Sequence, residues 1–212
     1  MASTVADVMT KNVVAVRKNA QFKEIVRVMR ARRFSALPVV DDDDKVVGLV
    51  SEDDLLIREG FRAADGGPRF LFRHADRVKA GGLTAAGLMT TPAITIRPEA
   101  GVAAAARTMH TRHVKRLPVV TADGRLAGVV SRTDLLGVYD RPDADIRTEI
   151  VKRVIEAEFM LESLAFAVTV ESGVVGLSGP VPSEAIALSL LDVIRQVDGV
   201  LVVKDRLSYP RD

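Results

Sequence analysis

The chain has 212 residues, of which 48% are hydrophobic and 27% are charged, as expected for a soluble globular protein with room for more than one core. Cysteine is absent, which excludes disulfides, thiol nucleophiles and Cys-ligated metals. Aromatic residues make up only 4%, so stacking on single-stranded nucleic acid is poorly provided for. The net charge is +2, yet residues 141–212 carry 8 basic and 12 acidic side chains, which argues against docking on nucleic acid or anionic lipid.

The first ten residues contain neither a basic leader nor an apolar run, so we expect no signal peptide. No stretch approaches the roughly 20 apolar residues that a membrane-spanning helix requires. We therefore expect a cytoplasmic protein.

Residues 5–56 repeat as residues 85–136 without a gap, and 19 of the 52 aligned positions are identical. The identities include Met-Thr at 9–10 and 89–90, Leu-Pro-Val-Val at 37–40 and 117–120, and Gly-x-x-Ser-x-x-Asp-Leu-Leu at 48–56 and 128–136. A supersecondary unit repeated in this way usually packs against its copy. We therefore predict a pseudo-twofold pair with two related clefts between the repeats.

Each repeat has the pattern β-α-β-β-α, which makes this part of the chain an α/β structure. In the first repeat, the predicted strands are 12–16, 36–40 and 45–50, and the apolar stripe of the helix is Phe22, Ile25, Val26 and Met29. In the second repeat, the strands are 93–96, 117–120 and 125–130, and the stripe is Val102, Ala105, Ala106 and Met109. Ser51 and Ser131 then open the last helix of each repeat. We place the first repeat at 1–60 and the second at 83–140.

The intervening residues 61–82 contain glycine pairs and are predicted to form a partly helical connector. Phe70-Leu71-Phe72 in this segment could form a partner surface or, as we prefer, cover the edge of the repeats.

The pattern changes after Asp140, and residues 143–212 are predicted to form a small α+β domain of order α-β-β-α-β. The predicted elements are a helix with an apolar stripe from Ile146 to Ile155, strands 166–171 and 174–178 around Ser172-Gly173, a helix capped by Ser183, and a last strand at 200–206.

The doubled Gly-x-x-Ser-x-x-Asp motif is the strongest candidate for a binding site. It places a hydroxyl and backbone N–H groups at a helix N-terminus, where a phosphate is favoured, and a carboxylate one turn later that can accept both hydroxyls of a ribose. The glycine allows a flat ring or a sugar to approach the backbone. Ser-x-x-Asp is also typical of a capping box without any ligand. Because the motif occurs twice after a Leu-Pro-Val-Val strand, we favour a nucleotide site.

Two other polar groups have simpler explanations. Asp41–Asp44 is interpreted as a solvated turn rather than a metal site, since the second repeat has Thr-Ala-Asp-Gly there. His110 and His113 share a helix face but show no third ligand, so we interpret them with Lys115 and Arg116 as a basic rim. We predict no metal site and no catalytic residues.

The repeated Met-Thr, Leu-Pro-Val-Val and Gly-x-x-Ser-x-x-Asp elements resemble a tandem CBS-domain pair over about residues 1–140. The resemblance implies adenosyl ligands in the clefts and a disc-like dimer. It places the ribose-binding carboxylates at Asp54 and Asp134, and the phosphate-side hydroxyls at Ser51 and Ser131. The residues that it implies around the adenine are Asn12, Val13, Val14, Ala36, Leu37, Pro38, Ala93, Ile94, Arg116, Leu117 and Pro118.

Residues 143–212 resemble a BON domain, through Gly173-Val174-Val175-x-Leu177-Ser178-Gly179 and Asp198-Gly199-Val200-x-x-Val203. The resemblance implies binding to phospholipid surfaces. Since this segment is acidic, we expect instead a protein partner, reached through the helix from Ser183 or through a sheet edge.

The sequence therefore predicts a non-enzymatic regulatory protein that binds AMP, ADP, ATP or a related adenosyl ligand, dimerises through its CBS pair, and uses its BON domain as an output module. It needs no cofactor and binds neither nucleic acid nor membrane. The alternative is a structural adaptor in which the CBS pair only dimerises and the BON domain binds a membrane or protein partner.

The two clefts are expected to differ in charge. Glu52 and Asp53 flank the predicted phosphate seat of the first motif, whereas Arg132 and Thr133 flank that of the second, which we also expect to lie near Lys115 and Arg116. We therefore expect the cleft of Ser131 and Asp134 to prefer ATP or ADP, and that of Ser51 and Asp54 to prefer a less anionic ligand.

Overall fold

The computed structural model describes residues 3–56 and 83–210, so the predicted connector and its Phe70-Leu71-Phe72 segment lie outside the described residues. The chain forms two compact units. The first, which we call the terminal unit, comprises Met1–Val8, Gly101–Ala106 and Arg132–Asp212. The second, the repeat unit, comprises Met9–Ala100 and Arg107–Ser131. The domain limits inferred from the sequence stay predictions.

In the repeat unit, the first repeat forms strand β1 (Val16–Arg17), helix α2 (Phe22–Arg32), strand β2 (Ala36–Val40), strand β3 (Val46–Ser51) and a helical turn at 52–56. β1 pairs in parallel with β2, and β2 pairs antiparallel with β3. The second repeat contributes helix α3 (Ala85–Leu88) and the antiparallel strands β4 (Arg116–Val120) and β5 (Leu126–Ser131). Helix α4 (Val102–Thr111) precedes β4. The predicted mixed α/β pattern of the repeats is confirmed.

Helix α2 buries the stripe that its sequence predicts. Ile25 and Met29, four residues apart, are buried and pack in one apolar cluster with β2 and β3. The other buried members of this cluster are Val16, Ala20, Leu37, Val39, Val50, Ala85 and Leu88. The core of this unit is aliphatic, as the composition requires.

The first strand of each repeat is shorter than predicted. The strand expected at 12–16 has only two residues, and the strand expected at 93–96 is reduced to a single bridge between Ile96 and Val119. Asn12 has φ of 56°, outside the strand region, and pairing with β2 begins only at Val16. These segments therefore run beside the sheet rather than within it.

Three backbone bridges relate the repeats by a pseudo-twofold axis. Thr10 pairs with Val129, and the same positions in the opposite repeats, Thr90 and Leu49, pair in the same antiparallel way. A third bridge joins Lys45 to Arg125, which occupy the same position in the two repeats. A contact between equivalent positions of the two repeats must lie close to the pseudo-twofold axis. The predicted pseudo-twofold arrangement of the repeats is thus confirmed.

The terminal unit begins with helix α1 (Val5–Val8) and continues, after the repeat unit, with α5 (Arg132–Leu136) and a 3₁₀ turn, Gly137–Tyr139. Helix α6 (Asp143–Glu149) runs into a π-helical segment, Ile150–Glu158. A 3₁₀ turn, Ser163–Ala165, then leads to strands β6 (Ala167–Glu171) and β7 (Val174–Pro180), helix α7 (Glu184–Arg195) and strand β8 (Val202–Ser208).

The predicted α-β-β-α-β order of the C-terminal segment is confirmed. β7 is the central strand, antiparallel to β6 and parallel to β8. Ser172 and Gly173 have φ of 49° and 74°, as a tight hairpin turn requires. The Asp143 carboxylate accepts hydrogen bonds from both of their N–H groups, at 2.6 and 3.0 Å. Ser183 caps α7 by accepting from the N–H of Ile186 at 3.4 Å.

The first helix of this segment differs from its prediction in geometry. Its apolar stripe is buried, but from Ile150 onward the helix is π rather than α. Ile146, Ile150 and Val154 are each four residues apart and are all buried. A four-residue interval keeps these side chains on one buried face, and this spacing is compatible with an α turn as well as with a π turn.

Candidate functional site

A cavity of about 220 Å³ lies within the repeat unit and takes its lining from both repeats. The first repeat contributes Ser35, Ala36, Leu49, Ser51, Glu52, Asp53 and Asp54. The second repeat contributes Thr90, Ala93, Ile94, His113, Val114, Lys115 and Arg116. Its volume is slightly below the roughly 300–1,000 Å³ typical of pockets for drug-sized ligands, which favours a small ligand.

One part of the cavity is built by the end of β3 and the helical turn after it. The carboxylate of Asp54 accepts hydrogen bonds from the N–H and the hydroxyl of Ser51, at 2.8 and 2.7 Å. The hydroxyl of Ser51 accepts in return from the N–H of Asp54 at 3.3 Å. This reciprocal arrangement is a capping box. The capping interpretation of Ser-x-x-Asp is therefore correct for this copy, and a ligand function has to be compatible with it.

Asp54 is also the only charged side chain that is buried among the described residues, with 7% exposure. A buried carboxylate is costly unless it is hydrogen-bonded, and the bonds from Ser51 supply that compensation. Asp54 thus presents a fixed, negatively charged acceptor at the cavity.

The second repeat supplies basic side chains. His113 follows α4 with φ of 53°, a left-handed conformation that ends the helix and turns the chain toward β4. Lys115 is exposed, and Arg116, the first residue of β4, donates a hydrogen bond from Nη2 to the hydroxyl of Ser35 in the other repeat. Arg116 therefore connects the two repeats at this cavity.

The remaining lining is small and apolar. Ala36 comes from β2, Leu49 from β3, and Ala93, Ile94 and Val114 from the second repeat. Such a surface, bounded by a carboxylate on one repeat and cations on the other, suits a flat apolar ring that carries a polar, anionic group.

Of the residues predicted to line an adenine site, Ala36, Ala93, Ile94 and Arg116 line this cavity. Leu37 and Leu117 are wholly buried, and their neighbouring prolines, Pro38 and Pro118, are buried as well. These four residues are not among the lining of this cavity, and their roles toward a ligand stay predictions. Only the first residues of β2 and β4, Ala36 and Arg116, line the cavity, because each strand then enters the core.

The other predicted residues lie outside this cavity. Asn12 and Val14 are not among its lining residues, and Ser131, the last residue of β5, pairs in register with Arg116. Arg132 and Asp134 belong to α5 in the terminal unit. Their roles toward a ligand stay predictions.

The first cleft contains basic side chains that were expected only at the second, whereas the carboxylates expected at the first cleft do line it. Lys115 and Arg116, expected near Ser131, line the cavity of Ser51 and Asp54. In this cavity the segment 113–116, which precedes the second Leu-Pro-Val-Val, lies beside the motif of the first repeat. Ser35 and Thr90 also line the cavity and were not predicted. Thr90 comes from the other repeat, and the symmetry of the repeats was the signal that could have found it.

The glycine of the motif also has a different role from the one expected. A Cβ on Gly48 would lie 2.4 Å from Met89 Sδ and 3.0 Å from the Thr90 carbonyl oxygen. A Cβ on Gly128 would lie 2.7 Å from Met9 Sδ and 2.8 Å from the carbonyl oxygen of Thr10. Each glycine therefore makes room for the Met-Thr pair of the opposite repeat, rather than for a sugar or a ring.

The acidic turn Asp41–Asp44 is stabilised by hydrogen bonds and an ion pair within the chain. Hydrogen bonds from the N–H groups of Lys45 and Asp43 lower the pKa of Asp41, although some burial acts against them. Asp44 pairs with Arg17 at 2.7 Å. Within residues 3–56 and 83–210, no three His, Asp or Glu side chains form a group that could hold a metal ion.

Comparison with protein families identifies the class. The CBS domain model matches residues 5–59 and 85–141, and the BON domain model matches residues 142–211. The CBS matches cover more than half of the chain, so the chain belongs to the CBS-domain family, with a BON domain after its CBS pair. Both resemblances inferred from the sequence are confirmed.

The chloroplastic CBS domain-containing protein CBSX2 of Arabidopsis thaliana is 29% identical over 147 residues, which cover 63% of this chain and 62% of CBSX2. An inosine-5'-monophosphate dehydrogenase of Methanocaldococcus jannaschii is 27% identical over 138 residues, or 65% of this chain and 24% of the enzyme. This chain thus spans less than two thirds of the length of either relative. Similar CBS pairs therefore occur both in a CBS domain-containing protein and within an enzyme.

Among solved structures, the crystal structure of CBSX2 in complex with AMP matches with a TM-score of 0.56 and 29% identity, covering 64% of this chain and 95% of that chain. Within the described residues, no helix is both long and apolar enough to cross a membrane.

Proposed function

We propose that this protein is a non-enzymatic regulator that binds an adenine nucleotide, or a related adenosyl ligand, in the cavity of Asp54. The observation that carries the proposal is the meeting of a buried carboxylate, small apolar side chains and two cations in one cavity. The AMP complex of the similar CBSX2 pair supports it.

Asp54 is the proposed ribose-binding group. A carboxylate has several lone-pair positions and can accept from Ser51 and from ligand hydroxyls together. Its burial strengthens such bonds, because water competes less at a buried acceptor.

We propose that the phosphate binds to Lys115 and Arg116 rather than to the helix N-terminus after β3. The hydroxyl of Ser51 is engaged with Asp54, and the N–H of Glu52, the first helical residue, donates to the carbonyl of Ser35 at 3.0 Å. Cationic side chains bind phosphate by charge-assisted hydrogen bonds. An anionic ligand would compete with Ser35 for Arg116, and would thereby favour one arrangement of the repeats over another.

Titration of the purified full chain with AMP, ADP and ATP tests the proposal. Binding should raise the melting temperature, since a ligand held only by the folded state stabilises it. Asp54→Ala should lower the affinity at this cavity at least about tenfold, since a charged hydrogen bond contributes about 1.5–3 kcal/mol. Asp54→Ala combined with Asp134→Ala should abolish the shift if the second predicted site also binds.

Asp7→Ala is the matched control. The Asp7 carboxylate accepts from the N–H and hydroxyl of Thr4 at 2.8 and 2.7 Å, the same distances as in the Ser51–Asp54 pair, and Asp7 does not line the cavity. Both variants lose a cap worth about 1 kcal/mol. A response of Asp54→Ala equal to that of Asp7→Ala would contradict the proposal.

Regulation also requires assembly and an output. We propose a homodimer through the CBS pair, supported by Leu56 and Leu136, which hold the same position in the two repeats and are 64% and 65% exposed. We propose that the BON domain docks a protein, supported by its acidic charge and by β8, which pairs only with β7 among the described strands. The adaptor alternative predicts dimerisation without any nucleotide response.

A further inference from the structure

We propose that Glu52 and Asp53 make the cavity select a nucleoside monophosphate and reject polyphosphates. This inference depends on the proposed function, because it concerns which adenine nucleotide occupies the cavity of Asp54. It identifies two residues that determine specificity without forming favourable contacts with the ligand.

The titratable side chains of the cavity are divided between the repeats. The three carboxylates, Glu52, Asp53 and Asp54, come from the first repeat, and the three basic groups, His113, Lys115 and Arg116, come from the second. Asp54 is buried and bonded to Ser51, whereas Glu52 and Asp53 are exposed. The acidic side chains of the cavity are as numerous as the basic ones, so it carries no excess of positive charge for a long polyphosphate.

A single phosphoryl group can be balanced by Lys115 and Arg116. Each additional phosphoryl group adds negative charge within a cavity of about 220 Å³ that Glu52 and Asp53 also line. The added phosphoryl charge and the two carboxylates repel each other, and this repulsion is greater near a protein surface than in bulk water. Selectivity by repulsion of the wrong ligand is a general way to discriminate between ligands that share most of their contacts.

The repeat supports the assignment independently. Ser51 and Asp54 recur as Ser131 and Asp134, whereas Glu52 and Asp53 are replaced in the second motif by Arg132 and Thr133. The capping box needs only the first and last residues of the motif. The two carboxylates between them are therefore not required by the local fold, and their charge is available for selectivity.

The experiment is calorimetric titration of the full chain with AMP and ATP, without divalent cations and at low ionic strength. All variants are compared in an Asp134→Ala background, which removes the second predicted site, and this parent chain should bind AMP more tightly than ATP. In the double variant Glu52→Gln/Asp53→Asn, ATP affinity should rise about tenfold and AMP affinity by less than about threefold. High salt should reduce the preference of the parent chain, since exposed charges are screened.

Asp42→Asn/Asp43→Asn is the matched control, because it removes two exposed carboxylates from the same unit outside the cavity. It should keep the preference of the parent chain. Equal binding of AMP and ATP to the Asp134→Ala parent overturns the inference, as does an equal change of preference in both double variants. If wild type binds no nucleotide at all, the proposed function itself is refuted. This result differs from equal binding of AMP and ATP, which refutes only the inferred selectivity. A melting curve for each variant establishes that it is folded.

Discussion

Gly48 and Gly128 show how single residues hold the repeats together. Each lies where a side chain would collide with the Met-Thr pair of the opposite repeat. The glycine and the Met-Thr elements are far apart in the sequence, yet they recur together because they form one contact, made twice. The repeated identities therefore report packing between the repeats as well as a ligand site.

Gly128→Ala should destabilise the protein by about 1–3 kcal/mol, the usual cost of overpacking a close contact. Met9 Sδ can move, but the backbone oxygen of Thr10, 2.8 Å from the new Cβ, can do so only if the chain shifts. Gly48→Ala should cost somewhat less, since the corresponding distance to the Thr90 oxygen is 3.0 Å. Chemical denaturation measures both effects.

Gly137→Ala is the control for these two variants. A Cβ at Gly137 meets nothing within 4 Å, and the residue lies in a 3₁₀ turn. It should leave the free energy of unfolding unchanged or raise it by about 0.4–1 kcal/mol, because alanine lowers the conformational entropy of the unfolded chain. If all three glycine variants lose stability equally, the proposed packing role of Gly48 and Gly128 is incorrect.

Among the elements, the helix that opens the C-terminal segment depends most clearly on charge. Glu149, at the junction of α6 and the π segment, pairs with Arg141 and Arg153, each at 2.9 Å. Burial by itself raises the pKa of Glu149, but the hydrogen bonds from the two arginines outweigh it and leave the pKa below its ordinary value of 4.5. The folded state therefore favours the ionised carboxylate.

This lowered pKa predicts how stability depends on pH. The contribution of Glu149 is fully present above the unfolded-state pKa, near 4.5, and is lost as pH falls through the lower folded-state pKa. Glu149→Gln should cost about 1 kcal/mol at pH 7, as partly screened ion pairs do, and much less near pH 3. Denaturation at both pH values measures the difference. Glu162→Gln, which removes a carboxylate at an exposed position of the same segment, is the control and should change the stability at pH 7 by less than about 0.5 kcal/mol.

The elements also show what the sequence could predict. Helices α2 and α7 and the strand pairs β2–β3 and β4–β5 follow from periodicity and turn residues, because those signals are local. The shortness of the first strands does not follow from local signals, since their pairing depends on where β2 and β4 lie. The π geometry after Ile150 was hidden because its apolar spacing also fits an α-helix. Asp54 was predicted correctly to lie at the cavity, whereas the presence of Lys115 there was not predicted, because which repeat faces a motif is decided only by the pairing of the two.

For the whole molecule, the testable property is assembly. Leu56→Glu and Leu136→Glu should each convert a dimer toward monomer, because a charge at an apolar contact must be desolvated without a partner. Light scattering coupled to size-exclusion chromatography measures the mass. Leu188→Glu changes a leucine of similar exposure, 56%, on α7 and should leave the mass unchanged. An unaltered mass in all three variants would place the dimer contact elsewhere, or show that none exists.

The division of the cavity between the two repeats has a consequence for genetics. An allele that changes Glu52 and an allele that changes Arg116 fall in different repeats, yet both alter the same pocket. A suppressor screen started from a defect in the first repeat should therefore return compensating mutations across the connector, in the second. Mutations that affect ligand binding are therefore expected in both repeats, and their positions along the gene will not follow the boundary between the repeats.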